Sequence, residues 1–587
     1  MNHSSLTNIN KNIKVAAVDF VPAWGDLDGN ISRLVDAVKK ISSEGVNFAV
    51  FPETAISGYI FTDYNEISPY LDTIPGKMTN AICPLLAENG MYMSIGIAEK
   101  DAETGLAYNS AVLMGPSGII GKYRKIGLNS QDQKIFSTSD TGVRVFDTEI
   151  GKIALLICYD DTYWQYARLA ALKGAQIISW HSVSDRLLKE SSTEAEMRSD
   201  HSTIGHVQHM SALNGVWVIC TTRSGIETNL ITKKKVYYNG GSSIWSPEGH
   251  KVCEAEVVPP IEREPGLYEI YTALVDLSEA DKKRKEILRK RNPSVYFPLL
   301  TLHHSSTAQN RTKEQHKVKL TAVQWDKNSV DLDSITVSEG ELLVLPELSN
   351  MAYSTDPSII LAHSESCNGS FEQKITKISQ AGKGYVVGSY PQIIIDKVYH
   401  TVVLAGPEGN ILARYNVTHL NERDKGWATA GTELSVTKTP IGNIALAAAH
   451  ELEVPELGGS YCALRADIIA APAGLPGKLK VEIDERLYVV SNPPTNKADY
   501  IPYSAGELNQ LWVVCGGRPD GIYTSAGIYG SDPIMISPTL LAQPNSSKIS
   551  YEAEVPAQSL WINQNELLSG QQPIWYTPLV LDVQEEK

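Results

Sequence analysis

Three side chains, Glu53, Lys125 and Cys158, have the chemical types that covalent catalysis on a poor electrophile requires: a carboxylate, an ammonium and a thiol. Cys158 follows the apolar run Ile153 to Ile157, a buried strand by its pattern, and a helix carrying Tyr166, Leu169, Ala170 and Leu172 begins shortly after it. A thiol at a strand-to-helix turn projects from the C-terminal edge of a sheet, where open α/β folds place ligands. The nearby helix N-terminus is expected to favour the thiolate, lowering a pKa that is ~8.5 unperturbed. Taken alone, such a cysteine is more often a small core residue. Glu53 closes an apolar strand in VFPETAISGY and is either exposed by the turn or buried for a purpose. Lys125 lies in KYRKIGL, immediately after a hairpin, and Asp132 downstream of it could orient the ammonium.

The elements that must hold these groups recur along the chain. Strand Lys14 to Trp24, a helix with Ile31, Leu34, Val35 and Val38 on one face, and a strand ending in Pro52-Glu53 form one plan. VKLTAVQW and ELLVLPELSNMAY repeat it, with Pro346-Glu347 in place of Pro52-Glu53. AVLMGPSGIIGKYRKIGL pairs with VVLAGPEGNILARYNVTHL as a second hairpin, IGKIALLICYDD with IGNIALAAAHEL, and LNGVWVICTTRSG with LNQLWVVCGGRPDG. The chain is therefore one unit written twice. The expected divisions are a disordered tail at 1–12, a first domain at 13–302, a polar linker at 303–316 and a second domain at 317–587. Strand runs mixed with helices in this order indicate layered α/β packing.

FPETAISGY, GKYRKIGL and ICYDDTYW resemble the glutamate, lysine and cysteine motifs of the nitrilase superfamily of carbon–nitrogen hydrolases, in that family's order and separations. RLAALKGAQII, LNGVWVI and NGGSSIWSPEG are similar to further family segments. The resemblance covers most of the first half and, more weakly, the second. It implies two tandem α-β-β-α sandwich domains and a Cys–Glu–Lys triad. On that reading Cys158 is the nucleophile, Glu53 the general base, and Lys125 the stabiliser of the tetrahedral oxyanion together with the backbone N–H of Tyr159. Asp132 falls where many members carry a second glutamate. Gly127 stands where the family often has histidine, and either opens space near the lysine or allows a tighter turn. Tyr159 and Asp160 after the cysteine are similar to the amidase and carbamoylase branches, whereas nitrilases proper usually show tryptophan and then glutamate. Hydrolysis of a linear amide or N-carbamoyl compound is expected, with nitrile hydrolysis as the alternative. Thr162 and His181 are candidates for substrate contact, although His181 could equally be an ordinary hydrogen-bonded histidine. No metal or organic cofactor is expected, since nucleophile, base and electrophile are all side chains.

In the second half Ala449 falls at the place of Cys158 and Val417 (or Asn416, one residue earlier) at that of Lys125. Glu347 and Asp424 remain. A glutamate without its lysine is a costly buried charge, expected to be protonated, re-paired or solvated. This half is expected to be catalytically inactive, serving as the intramolecular partner of a pseudo-dimer, as a binding module, or as a residue of duplication.

Composition sets the outer bounds. With 42% apolar and 20% charged residues the chain is of the globular class. A formal charge of −15 disfavours nucleic acid or an anionic membrane as partner. The basic run Asp281 to Arg291 reads as a solvated helix face, with a nucleic-acid or sorting patch as the alternative. No apolar stretch approaches the ~20 residues a spanning helix needs. Seven dispersed cysteines without a CxxC pair suit a reducing compartment, and cytoplasm is the default expectation. The expected partners are thus a small amide or carbamoyl substrate and water, with further homo-oligomer assembly left open beyond the intramolecular pseudo-dimer.

Overall fold

The computed structural model describes residues 12–183, 206–255, 263–303, 315–326, 328–474, 497–518, 526–530, 539–542, 546–557 and 562–582. Residues 1–11 of the expected tail and most of the expected linker lie outside them. Asn12 already belongs to a strand, paired with Asp276. By its internal contacts the chain divides into two units, residues 1–289 and 290–587.

In the first unit Asp26 starts the first helix: its carboxylate accepts from the N–H of Gly29 at 3.1 Å, and the chain runs helical over Leu27–Ser43. Leu34, Ala37, Val38 and Ile41 are fully buried on its inner stripe, against Met78 and Ile82 of helix Lys77–Asn89 and Ala16 and Val18 of strand Asn12–Phe20. Val15 and Ala17, the alternate residues of that strand, are equally buried on its other face. A strand apolar on both faces lies between two layers.

The first sheet has the order Tyr268–Asp276, Asn12–Phe20, Phe48–Val50, Tyr92–Lys100, Ala107–Gly115, Gly118–Arg124. The second runs Lys251–Glu254, Ser243–Trp245, Trp217–Thr221, Ile177–His181, Gly151–Ile157, Val145–Thr148. Their central strands are parallel, and the sheets pack face to face with helices outside each. This is the expected α-β-β-α sandwich. Residues 281–288 of the basic run lie in helix Leu277–Leu288, capped by Asp276 and burying Leu277, Ala280 and Arg284.

The second unit repeats the strand order of both sheets, with a short extra strand, Glu365–Ser366, paired to Tyr385–Ile394 in the first of them. Val318, Leu320, Val402 and Leu404 of one sheet share a core with Ile444, Leu446, Ile468 and Val514 of the other. Residues 290–300 pack within this second unit, where the Asn292 amide donates to Thr418 O (3.0 Å) and Tyr296 stacks on His419. Among the described residues no helix is long and apolar enough to cross a membrane.

Candidate active site

Glu53 emerges just past strand Phe48–Val50, its backbone clamped to the neighbouring strand. Gly96 N–H donates to Pro52 O (3.0 Å), and Ala55 N–H to Gly96 O (2.9 Å). A Cβ on residue 96 would stand 2.5 Å from Glu53 Cα, so glycine is required there. The next residue, Thr54, has φ 45°, in the left-handed region that costs a non-glycine residue roughly 1–3 kcal/mol. Buried Arg223 braces this turn, donating to the Glu53 carbonyl and to Thr54 Oγ1 (3.1 Å). Arg223 is itself paired with Glu227 (2.7 Å), whose carboxylate accepts from the N–H groups of Tyr59 (2.7 Å) and Ile60 (2.9 Å).

Lys125 leaves the hairpin strand Gly118–Arg124 pointing into the same place. Its ammonium is 2.9 Å from Glu53 Oε1 and 2.7 Å from Asp132 Oδ2, with all three side chains almost wholly buried. Asn109 reaches Glu53 Oε1 at 2.6 Å and Asp132 Oδ1 at 3.4 Å. Asp132 also receives the Tyr59 hydroxyl (3.3 Å), and its N–H donates to Asn129 Oδ1 (2.9 Å). Two carboxylates and one ammonium leave a negative excess in a dry site, so one carboxyl must rise. Burial pushes Glu53 up, with Lys125 pulling back and Asp132 adding to the rise. Burial works against the Lys125 ammonium, but Asp132 and Glu53 hold it well above the usual lysine range. Glu53 Oε2 has no hydrogen-bond partner among the described residues.

Cys158 ends strand Gly151–Ile157 with φ 41° and opens a short turn, Cys158–Thr162. Asp160 ties this turn down, accepting from Ile157 N–H, Gly127 N–H and the Tyr123 hydroxyl, each at 2.8 Å. Burial raises the Asp160 carboxyl to about 6. A Cβ on Gly127 would lie 3.1 Å from Tyr159 O and from the Tyr163 ring, so this glycine serves a close approach rather than space beside the lysine. Burial pushes the Cys158 thiol well up, the Glu53 charge adds to that, and Lys125 and a hydrogen bond with Ser182 pull it down. The expected thiolate is therefore corrected. Helix Trp164–Leu172 starts beyond the intervening turn, and burial together with the Glu53 charge favours the protonated sulfur.

The remaining sequence candidates separate. Tyr159 is half-buried beside the sulfur-bearing residue, and Thr162 is buried with its hydroxyl unpartnered among the described residues. His181 is fully buried, its Nδ1 2.6 Å from Phe51 O and its Nε2 2.9 Å from Ser179 Oγ. Both ring nitrogens are engaged by the protein, and burial lowers its pKa to about 4. This ring links the two sheets and has neither nitrogen left for substrate, which favours the ordinary hydrogen-bonded histidine of the two roles expected for it. Ser182, in the same segment, is the residue that reaches the sulfur. Asn109, Ser182 and Arg223 were not singled out from sequence; the arginine kept in both CTTRSG and CGGRPDG was the one available signal.

In the second unit the corresponding place is rebuilt. Val417 N–H donates to His400 O as Lys125 N–H donates to Asn109 O, so Val417, not Asn416, replaces the lysine. Glu451 holds Ala448 N–H (2.8 Å) and the Tyr415 hydroxyl (2.7 Å), as Asp160 holds Ile157 and Tyr123. Leu348 keeps the positive φ of Thr54 (50°), but Ala449 does not have that of Cys158. Glu347 is re-paired: Arg423 donates to its Oε2 at 2.7 Å and contacts Asp424 at 2.7 Å. Burial works against a charged His450, but the Glu347 and Asp424 carboxylates outweigh it and raise its pKa to about 9.

The family model for carbon-nitrogen hydrolases matches residues 14–282 and 332–487. A nitrilase of Pyrococcus abyssi is 38% identical over 168 residues, 28% of this chain and 63% of that protein's length. An N-carbamoylputrescine amidase of Solanum lycopersicum is 27% identical over 314 residues, covering 51% of this chain and 98% of the relative. A carbon-nitrogen hydrolase structure from Helicobacter pylori G27 aligns over 50% of this chain and 99% of its own, at 23% identity and TM-score 0.44.

Proposed function

Since the chain belongs to the carbon-nitrogen hydrolase family, we propose that its first unit hydrolyses a linear amide or N-carbamoyl compound through a thioester on Cys158. The observation that carries this reading is the buried Glu53–Lys125–Asp132 cluster, joined electrostatically to a cysteine held at positive φ. The resting thiol needs a base, and Glu53, with its raised pKa and unpartnered Oε2, is suited to take the proton as sulfur attacks the carbonyl carbon. Lys125 spends two of its three N–H groups on Glu53 and Asp132 among the described residues; the third, with the backbone N–H of Tyr159, is assigned to the oxyanion. Collapse of the tetrahedral adduct breaks the C–N bond, and Glu53 returns its proton to the departing nitrogen as ammonia or amine leaves. Water then loses a proton to Glu53 and attacks the thioester, the acid departs, and the sulfur is reprotonated.

Nitrile hydrolysis is the second reading, favoured by the 38% identity to a nitrilase. Ammonia release across a panel of amides, N-carbamoyl compounds and nitriles decides between them. Turnover of nitriles alone would overturn the first reading. The second unit is assigned no catalysis, because an alanine stands at the nucleophile position and a valine at that of the lysine.

A further inference from the structure

The losses in the second unit are matched by gains that converge on one point. Ser389 takes the place of Gly96, His400 of Asn109 and His450 of Tyr159, while Glu347 and Asp424 are retained. Loss of a buried catalytic lysine would ordinarily leave Glu347 to be lost as well, since an unpaired buried carboxylate is costly. Instead it is re-paired with Arg423 through Oε2, and its Oε1 faces two histidines. His400 Nδ1 lies 2.8 Å from Asp424 Oδ2 and 4.0 Å from Glu347 Oε1, and His450 Nδ1 lies 3.6 Å from the same Oε1. The last two gaps are too long for direct hydrogen bonds. One ligand atom from each of Glu347, His400 and Asp424 lies within 4.8 Å of the other two, within small adjustments of the ~3.3 Å edge of a tetrahedron with bonds near 2.0–2.1 Å, the length zinc makes to nitrogen and oxygen; His450 adjoins this trio through Glu347.

The outer atoms of each group are already held. His450 Nε2 donates to His419 O (2.9 Å), and His400 Nε2 is 3.1 Å from Ser389 Oγ. Both rings are thereby fixed with Nδ1 inward, as the outer hydrogen bonds of metal-bound histidines fix their rings. Arg423 binds Glu347 Oε2 and Asp424 Oδ1, leaving Glu347 Oε1 and Asp424 Oδ2 facing the histidines. Glu347, His400 and Asp424 are buried, and the four residues come from four separate segments of this unit.

We propose that the second unit binds one divalent transition-metal cation of the zinc class through Glu347, His400 and Asp424, with His450 beside Glu347 as the group that can complete the set. The site is independent of the reaction assigned to the first unit and gives the second unit a role other than catalysis. It departs from the sequence expectation of no metal, since ligands so widely spaced form no motif.

Calorimetric titration of zinc chloride into the chelator-stripped full chain tests it, with Cys158→Ala run in parallel to remove a competing sulfur ligand. Saturation at one equivalent is expected for both proteins, with zinc raising the thermal midpoint of each. His450→Ala and His400→Asn, which restores the residue type of the first unit, are expected to weaken binding at least roughly tenfold. Their metal-free thermal midpoints report on folding. Absence of saturable binding, loss of binding in Cys158→Ala, or unchanged affinity in both histidine variants would overturn the site.

Discussion

At Cys158 a left-handed backbone, a buried thiol and a neighbouring carboxylate with a raised pKa meet, and Ala449, its counterpart, has shed the positive φ along with the sulfur. Strain retained where the nucleophile is retained, and absent where it is absent, ties that conformation to the chemistry. Glu53 must be ionised to act as a base, and its folded pKa lies above the ordinary value of 4.5. The acid limb of the kcat/KM profile is therefore expected to inflect above that pH. Lys125→Met removes the charge that pulls Glu53 down, so the limb should move to higher pH while kcat falls roughly 100- to 1000-fold. A limb that stays put in this variant would count against Glu53 as the base. The motifs carrying Glu53, Lys125 and Cys158 were legible in the sequence because each sits at the end of a recognisable strand. Asn109 and Ser182 were not, because their partners Glu53, Asp132 and Cys158 lie on turns of other segments and nothing local marks them. For His181 substrate contact and an ordinary hydrogen-bonded role were both open in the sequence, and the structure favours the second through a bond to Phe51 made across the sandwich and one to Ser179 on its own strand.

At the scale of elements, the turns around the site depend on a few close approaches. Gly96→Ala would bring a Cβ to 2.5 Å from the Glu53 backbone, which cannot yield as a flexible side chain would. Destabilisation of about 1–3 kcal/mol in urea unfolding, with loss of turnover, is expected. The two elbows also respond oppositely to acid. Burial opposes ionisation of Glu451, but His419 and His450 beside it outweigh that and lower its pKa to about 2, whereas Asp160 rises to about 6. A depressed carboxylate contributes stability that is present above its unfolded value near 4.5 and lost as pH falls towards 2. Glu451→Gln should thus flatten the loss of stability on acidification; an unchanged pH profile would show that Glu451 does not carry it. The helix-dipole argument for a thiolate failed at this scale, since the turn Cys158–Thr162 separates the sulfur from the helix.

For the whole molecule, the internal repeat was the most readable feature, because paired motifs in one order demand paired sheets. The boundary was less so: residues 290–300 carry no signal that assigns them to the second unit. We propose that the second unit supports the first without catalysing. Deleting residues 317–587 is expected to impair folding or activity of the remainder, and full activity in that truncation would refute the supporting role. The central claim is tested most directly by intact-mass and peptide analysis of the full chain trapped during turnover of an amide substrate. A single acyl adduct on Cys158, absent from Cys158→Ala together with all ammonia release, is the expected result. Undiminished turnover by Cys158→Ala, or an adduct on any other residue, would contradict it.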